Sequence, residues 1–388
     1  MVLNREMEYW QSHDAVYTAT EIEQQPKTWR KSLEIVETRK DEINAFLDNF
    51  FSVEDHEVIL TGAGTSEFVG NSLLPFMNTI LNYKVKSYAT TDIVASPASY
   101  LNENRRTLLI SYGRSGNSPE SVAAVKVANE HCKDIWHIFV TCNKEGELSI
   151  YGQDKDNCLV INLPDETCDK AFAMTSSFSS MYVSCAALMM QYKGLSLDKF
   201  RVVADKVEAF LAKRAADVEA IVNAFDYGRV DYLGSNVMKG VSQEIALKTC
   251  ELTAGNVMTT YDSSMGFRHG PKSVVKENSL NVVGLSDDPY TRQYDVDIVK
   301  EINGEGKGKL VVISGDDDFD VEANSDYFFS FKNGVKLESL YLGLEYAVVG
   351  QLLALYKSIH GGNTPDNPCS TGQVSRVVHG VSIHEYKK

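Results

Sequence analysis

The chain lacks the features of a disulfide-stapled, membrane-spanning or nucleic-acid-binding protein. Its 388 residues include only seven cysteines, scattered and never spaced as CxxC, so neither a disulfide framework nor a zinc knuckle is implied. No run approaches about 18 apolar residues, and the opening MVLNREMEYWQSHD has no apolar signal core, so neither secretion nor membrane insertion is expected. Basic residues are scarce: 38 Lys and Arg against 53 Asp and Glu give a net charge of −15, which argues against a nucleic-acid or anionic-membrane partner. These absences together point to a reducing, cytoplasmic setting. GxxxxGK[ST] and GxGxxG are missing, so a nucleotide-triphosphatase loop is excluded and a dinucleotide cofactor has little support. HExxH, clustered His and Cys, and a carboxylate cage are missing too, so no metal is expected.

What remains is ordinary globular material, 43% hydrophobic and 23% charged, in a chain long enough for two domains. Residues 1–51 read as a helical lead-in, with Ile22, Trp29, Leu33, Val36, Ile43 and Leu47 at mixed three-and-four spacing and an interruption at Pro26. Short apolar strands at Val58 to Leu60, Lys84 to Ala89, Thr107 to Ser111 and Ile135 to Thr141 then alternate with helices, which predicts a parallel sheet over 52–196. The last helix of that domain is read from Ala171 to Tyr192, and a charged helix at 197–224 reads as a connector.

Over 225–360 the pattern repeats. Val230 to Leu233, Asn281 to Ser286 and Lys309 to Ser314 answer the earlier strands at offsets of about 172 to 175 residues. The fold class is therefore α/β, with two tandem doubly wound, flavodoxin-like parallel-sheet domains. The tail at 361–388, rich in Gly and Pro at its start, is expected to lie back over a site or a partner.

Two stretches of the first half suit a phosphate: Thr65-Ser66 after Gly62 and Gly64, and Ser111-Tyr112-Gly113-Arg114-Ser115-Gly116-Asn117-Ser118 after a strand. Glycines let backbone amides approach an anion, hydroxyls donate, and the following helix N-terminus adds positive potential. Either stretch alone also reads as a plain tight turn, with Ser118 as N-cap and Pro119 at N1. Two of them at adjacent strand ends favour binding.

The segment Ser242 to Val274 supplies acid–base groups. Lys248 and Glu251 lie three apart on one helix face, the helix is expected to end near Ala254-Gly255, and the rest through His269 reads as loop. A carboxylate can move a proton between adjacent sugar carbons, and a histidine can protonate a ring oxygen and open the ring. That is metal-free aldose–ketose chemistry.

The motifs GAGTS, SYGRSGNSPES, AMTSSFSSM, LKTCELTAG, MGFRHGP and TPDNP followed by VSRVVHGV resemble the sugar isomerase (SIS) superfamily, and within it the AgaS-type galactosamine-6-phosphate deaminase/isomerases. The layout also resembles the isomerase half of glucosamine-6-phosphate synthase. The resemblance implies phosphate-binding hydroxyls at Ser66, Ser115 and Ser118 with Thr65 nearby, and a weaker charge-neutralising role for Arg114 and Lys248. It implies that Glu251 moves the C1/C2 proton and that His269 opens the ring from across a homodimer interface. The synthase tail supplies an imine-forming lysine, where this chain offers Arg376; Lys387, Lys388 or the substrate's own amine are the alternatives. With no N-terminal Cys nucleophile, glutamine-dependent synthesis is not expected. Two rivals stay open: an isomerase of neutral sugar phosphates, and a non-catalytic phosphosugar sensor.

Overall fold

The alternation closes into two parallel sheets in the computed structural model, which describes residues 1–332, 334–369, 372, 376 and 380–387. The first comprises β1 (His56–Gly62), β2 (Val85–Ala89), β3 (Arg106–Gly113), β4 (Ile135–Thr141) and β5 (Cys158–Asn162), in the order β2-β1-β3-β4-β5. The second comprises β6 (Arg229–Gly234), β7 (Met258–Asp262), β8 (Ser279–Gly284), β9 (Lys309–Ser314) and β10 (Tyr327–Ser330), in the order β10-β9-β8-β6-β7. Winding reverses between β1 and β3 and again between β6 and β8. Outside the carboxyl ends of such a pair is where α/β sheets take ligands.

The sequence reading missed β5, β7 and β10, all at sheet edges. Strand β7 corrects the expectation of loop from Gly255 to His269: MTTYD pairs only with β6 and is largely exposed, so no apolar run announces it. The helix expected from Ala171 begins instead at Ser176, because the Asp169 carboxylate takes the Ser177 amide at 2.8 Å and the Ser176 and Ser177 hydroxyls.

The two sheets share backbone detail as well as order. A Cβ on Gly62 would meet Ser66, and one on Gly234 would meet Met238, in each case at 2.4 Å, so both strands turn tightly onto their helices only through glycine. Gly64 (φ 55°, ψ −127°) and Asn236 (φ 59°, ψ −127°) then start those helices in the same conformation, about 172 residues apart.

Chain contacts divide the protein into two compact units. One holds Met1–Pro26, Lys170–Thr175 and Lys199–Gln373, including the second sheet; the other holds Lys27–Asp169, Ser176–Asp198 and Val374–Lys388, including the first. In the unit of the second sheet, Gln25 donates to Gln351 at 2.8 Å and the Thr18 amide to Asp366 at 2.7 Å. The helix Asp198–Ala224 joins this unit through Phe210, stacked 4.7 Å from Phe331. The helix Ser339–His360 is long and apolar enough to cross a membrane, but its apolar surface is wholly buried. It packs against the helix Val237–Leu252, where Ile245 fits over Gly350.

Candidate active site

At the carboxyl ends of β1 and β3 the sequence builds the expected hydroxyl-rich turns. Thr65 and Ser66 open the helix Thr65–Ile80 and are almost fully buried. After β3, Gly116 takes φ +66°, where a Cβ would press on the Thr141 hydroxyl at 3.2 Å. Ser115 Oγ accepts from the Asn117 amide at 3.2 Å. Ser118 occupies the N-cap of the helix Pro119–His131, yet its hydroxyl does not cap; it donates to Ser121 Oγ at 2.7 Å. Ser111 Oγ is buried with no hydrogen-bond partner among the described residues, an acceptor–donor held in reserve at the same strand end. Buried hydroxyls at a helix N-terminus suit an anion.

Arg114 is engaged elsewhere. Buried to 7% exposure, it donates to the Arg376 carbonyl at 2.8 Å, and the Arg376 guanidinium in turn donates to the Asp169 carbonyl. Farther along, Tyr386 meets His131 Nδ1 at 2.9 Å, so the end of the tail packs on the first sheet's unit. A cleft of about 680 Å³ separates Val381–Tyr386 from Thr91–Ala98 and Glu120. Lys387 is exposed and lies 3.6 Å from Glu385, while Lys388 falls outside the described residues.

In the other unit, the helix Val237–Leu252 aligns three charges on one face. Lys248 Nζ lies 2.6 Å from Glu251 Oε2 and 3.5 Å from Glu244 Oε1. Lys248 and Glu244 are completely buried; the Glu251 side chain keeps 24% exposure. The lysine thus orients a reachable carboxylate while its charge is balanced by a buried one. The helix ends as the sequence predicts, with Ala254 at φ 50°, Gly255 at φ 76° and the Gly255 amide on the Cys250 carbonyl at 2.8 Å. Glu244 was missed from sequence, although E-x3-K-x2-E is itself the signal of one helix face.

His269 is exposed, beyond the short turn Gly266–Arg268, and no described residue holds its imidazole. Its loop is nonetheless fixed. Phe267 is buried in the second sheet's core, Ser264 donates to Asp295, and Arg268 pairs with Glu301 at 2.7 Å. Among the described residues no hydrogen bond or ion pair joins His269 to Glu251. Among the described residues no three His, Cys, Asp or Glu side chains are grouped to hold a metal.

Residues 53–191 match the SIS domain model. The chain is 39% identical over 373 residues to the D-galactosamine-6-phosphate deaminase AgaS of Escherichia coli, covering 96% of each. This chain belongs to the AgaS family of SIS-domain proteins. A second AgaS, from Shewanella, is 41% identical over 381 residues, covering 97% of this chain and 94% of the relative. The crystal structure of tagatose-6-phosphate ketose/aldose isomerase from Escherichia coli superposes with a TM-score of 0.89 at 37% identity, covering 96% of this chain and 97% of that one. The tandem doubly wound SIS fold expected from sequence is thus the observed fold.

Proposed function

We infer that this chain is a galactosamine-6-phosphate deaminase that works by aldose–ketose isomerisation. The observation that carries the reading is the Glu244–Lys248–Glu251 constellation in a chain related throughout to AgaS deaminases. The phosphate is gripped by Ser66, Ser115 and Ser118, with Thr65 beside them. His269 protonates the ring oxygen and opens the pyranose. Glu251 then removes the C2 proton and returns it to C1, which turns the C2 amine into a ketose imine. Water adds to that imine and ammonia leaves, giving tagatose 6-phosphate. The nitrogen of the imine is the substrate's own. That fits a tail whose matching residue is Arg376, a guanidinium tied to the Asp169 carbonyl, in place of an imine-forming lysine.

His269 serves a second copy of the chain in this reading. Support comes from Met258 and Tyr261, exposed on the edge strand β7, and from Met265, exposed on the turn leading to His269, apolar side chains that a homodimer would cover. All seven cysteines are unpaired, which supports a cytoplasmic location.

Ammonia release from galactosamine 6-phosphate tests the reading, with glucosamine 6-phosphate and N-acetylgalactosamine 6-phosphate as comparisons. Interconversion of neutral tagatose 6-phosphate with its aldose, without ammonia from any amino sugar, would favour the isomerase named for the related Escherichia coli structure. Absence of solvent-deuterium exchange at C2 would leave only a sensor.

A further inference from the structure

The second sheet repeats the backbone of the first but not its ligand-binding side chains. Met238 is the second residue of its helix as Ser66 is of the first, packed under Gly234 as Ser66 is under Gly62. After β8 the loop reads Ser286-Asp287-Asp288-Pro289, with carboxylates in place of the Ser115 and Ser118 hydroxyls. Both are committed. Asp287 accepts from the Ser339 amide at 2.6 Å and hydroxyl at 2.7 Å, and Asp288 caps the helix Pro289–Glu305 through the Thr291 amide at 2.8 Å. Fixed negative charge here repels a phosphate.

The crevice at the β6/β8 reversal is instead occupied by Asp295. Fully buried, its Oδ1 accepts from Ser235 Oγ at 2.6 Å and from Ser264 Oγ, and its Oδ2 from the Ser286 amide at 2.9 Å. Ser235 follows β6, Ser264 follows β7 and Ser286 follows β8. One carboxylate therefore collects two hydroxyls and an amide from the ends of three adjacent strands, the donor types a bound oxyanion would use.

We propose that Asp295 is a resident anion, a carboxylate built into the second sheet's ligand crevice, and that by holding Ser264 it fixes the loop that presents His269. Asp295 is a positioning residue, not a catalytic one. The same helix holds that loop at two more points, through Glu301 to Arg268 and Lys272 and through Glu305 to Lys272. The consequence for turnover rests on the ring-opening role of His269; the anion cradle does not.

The test uses the full chain carrying Asp295→Ala, which leaves the three donors facing a gap the size of a small carboxylate, with sodium formate as the probe. Turnover of galactosamine 6-phosphate should fall about tenfold or more with KM within about threefold. Formate should restore much of the lost kcat and raise the melting temperature of the variant, whereas sodium chloride at equal ionic strength should do neither, and the unsubstituted chain should ignore both. A variant with unchanged kcat, or one that formate helps no more than chloride does, overturns the proposal. Asp295→Asn keeps the volume and one acceptor oxygen, so it should fold, lose about threefold or more in kcat and not respond to formate; if it keeps full kcat, the tether is wrong even should the alanine variant not fold. Formate-specific stabilisation of Asp295→Ala can be read without any substrate. It separates failure of the deaminase reading from failure of this one.

Discussion

Lys248 Nζ sits between Glu251 Oε2 at 2.6 Å and Glu244 Oε1 at 3.5 Å, with no exposure of its own side chain. Removing the lysine takes the cationic partner at 3.5 Å from a buried carboxylate. Lys248→Met should therefore cost about 3–5 kcal/mol of unfolding free energy in urea, and it should also lower kcat by releasing Glu251. Unaltered stability would mean that Glu244 carries no buried charge.

Glu251→Gln keeps the shape of the side chain but cannot carry a proton. Turnover should drop by at least about a hundredfold, while binding of a non-reacting phosphosugar stays within several-fold. Undiminished ammonia release would remove Glu251 from the mechanism.

In the proposed mechanism the strand-end hydroxyls act on binding. Ser66→Ala and Ser118→Ala each delete one hydrogen bond to a charged group, worth about 1.5–3 kcal/mol, so KM should rise about tenfold or more with a smaller effect on kcat. Arg114→Ala should behave differently, because its guanidinium holds the tail at Arg376. Loss of the tail's protease protection should accompany it.

If His269 works on the neighbouring copy, two dead variants can complement each other. Glu251→Gln mixed with His269→Ala after unfolding and refolding should recover about a quarter of wild-type activity, since half the dimers would be mixed and each would hold one intact site. No recovery in refolded mixed dimers would place both residues in one subunit's site.

Asp231, on β6, is buried beside Thr260, whose hydroxyl donates to Oδ1 at 2.5 Å, while Oδ2 has no partner among the described residues. Burial pushes its carboxyl up to about 6, against the opposing hydrogen bond from Thr260. A folded-state value above the unfolded one means the contribution to stability is complete below about pH 4 and is lost as pH rises through about 6. Asp231→Asn should remove that loss. Its stability relative to wild type should increase between pH 5 and pH 8 by about 1–1.5 kcal/mol, measured by urea unfolding; a constant difference would show that Asp231 does not titrate there.

Much of this was legible in the sequence because the central strands are apolar and their turns need glycine. Gly62, Gly64 and Gly116 announce backbone turns that no other residue makes easily, and Lys248 and Glu251 announce a helix face. Three of the four edge strands were not legible, since a strand such as MTTYD with one paired side has no burial pattern to print. Nor were Asp169 and Asp295. Each is an isolated acid in sequence, and each matters only because strands and loops distant in the chain bring donors to it. Arg114 has a role its motif does not announce, since the fold also brings the Arg376 carbonyl to its guanidinium.

The membership of residues 1–26 in the second sheet's unit bears on how the protein is made. Those helices leave the ribosome first, yet Gln25 and Thr18 find their partners at Gln351 and Asp366, near the other end of the chain. The opening segment meets Lys170, Ala212 and Glu219 partway through synthesis, through Glu21, Asn4 and Arg5, but completes its contacts only near the end, while residues 27–169 can already assemble around β1 to β5. Cutting the gene at residue 52 or 197 would strand it, so an isolated second half will fold well only when peptide 1–26 is given back in trans.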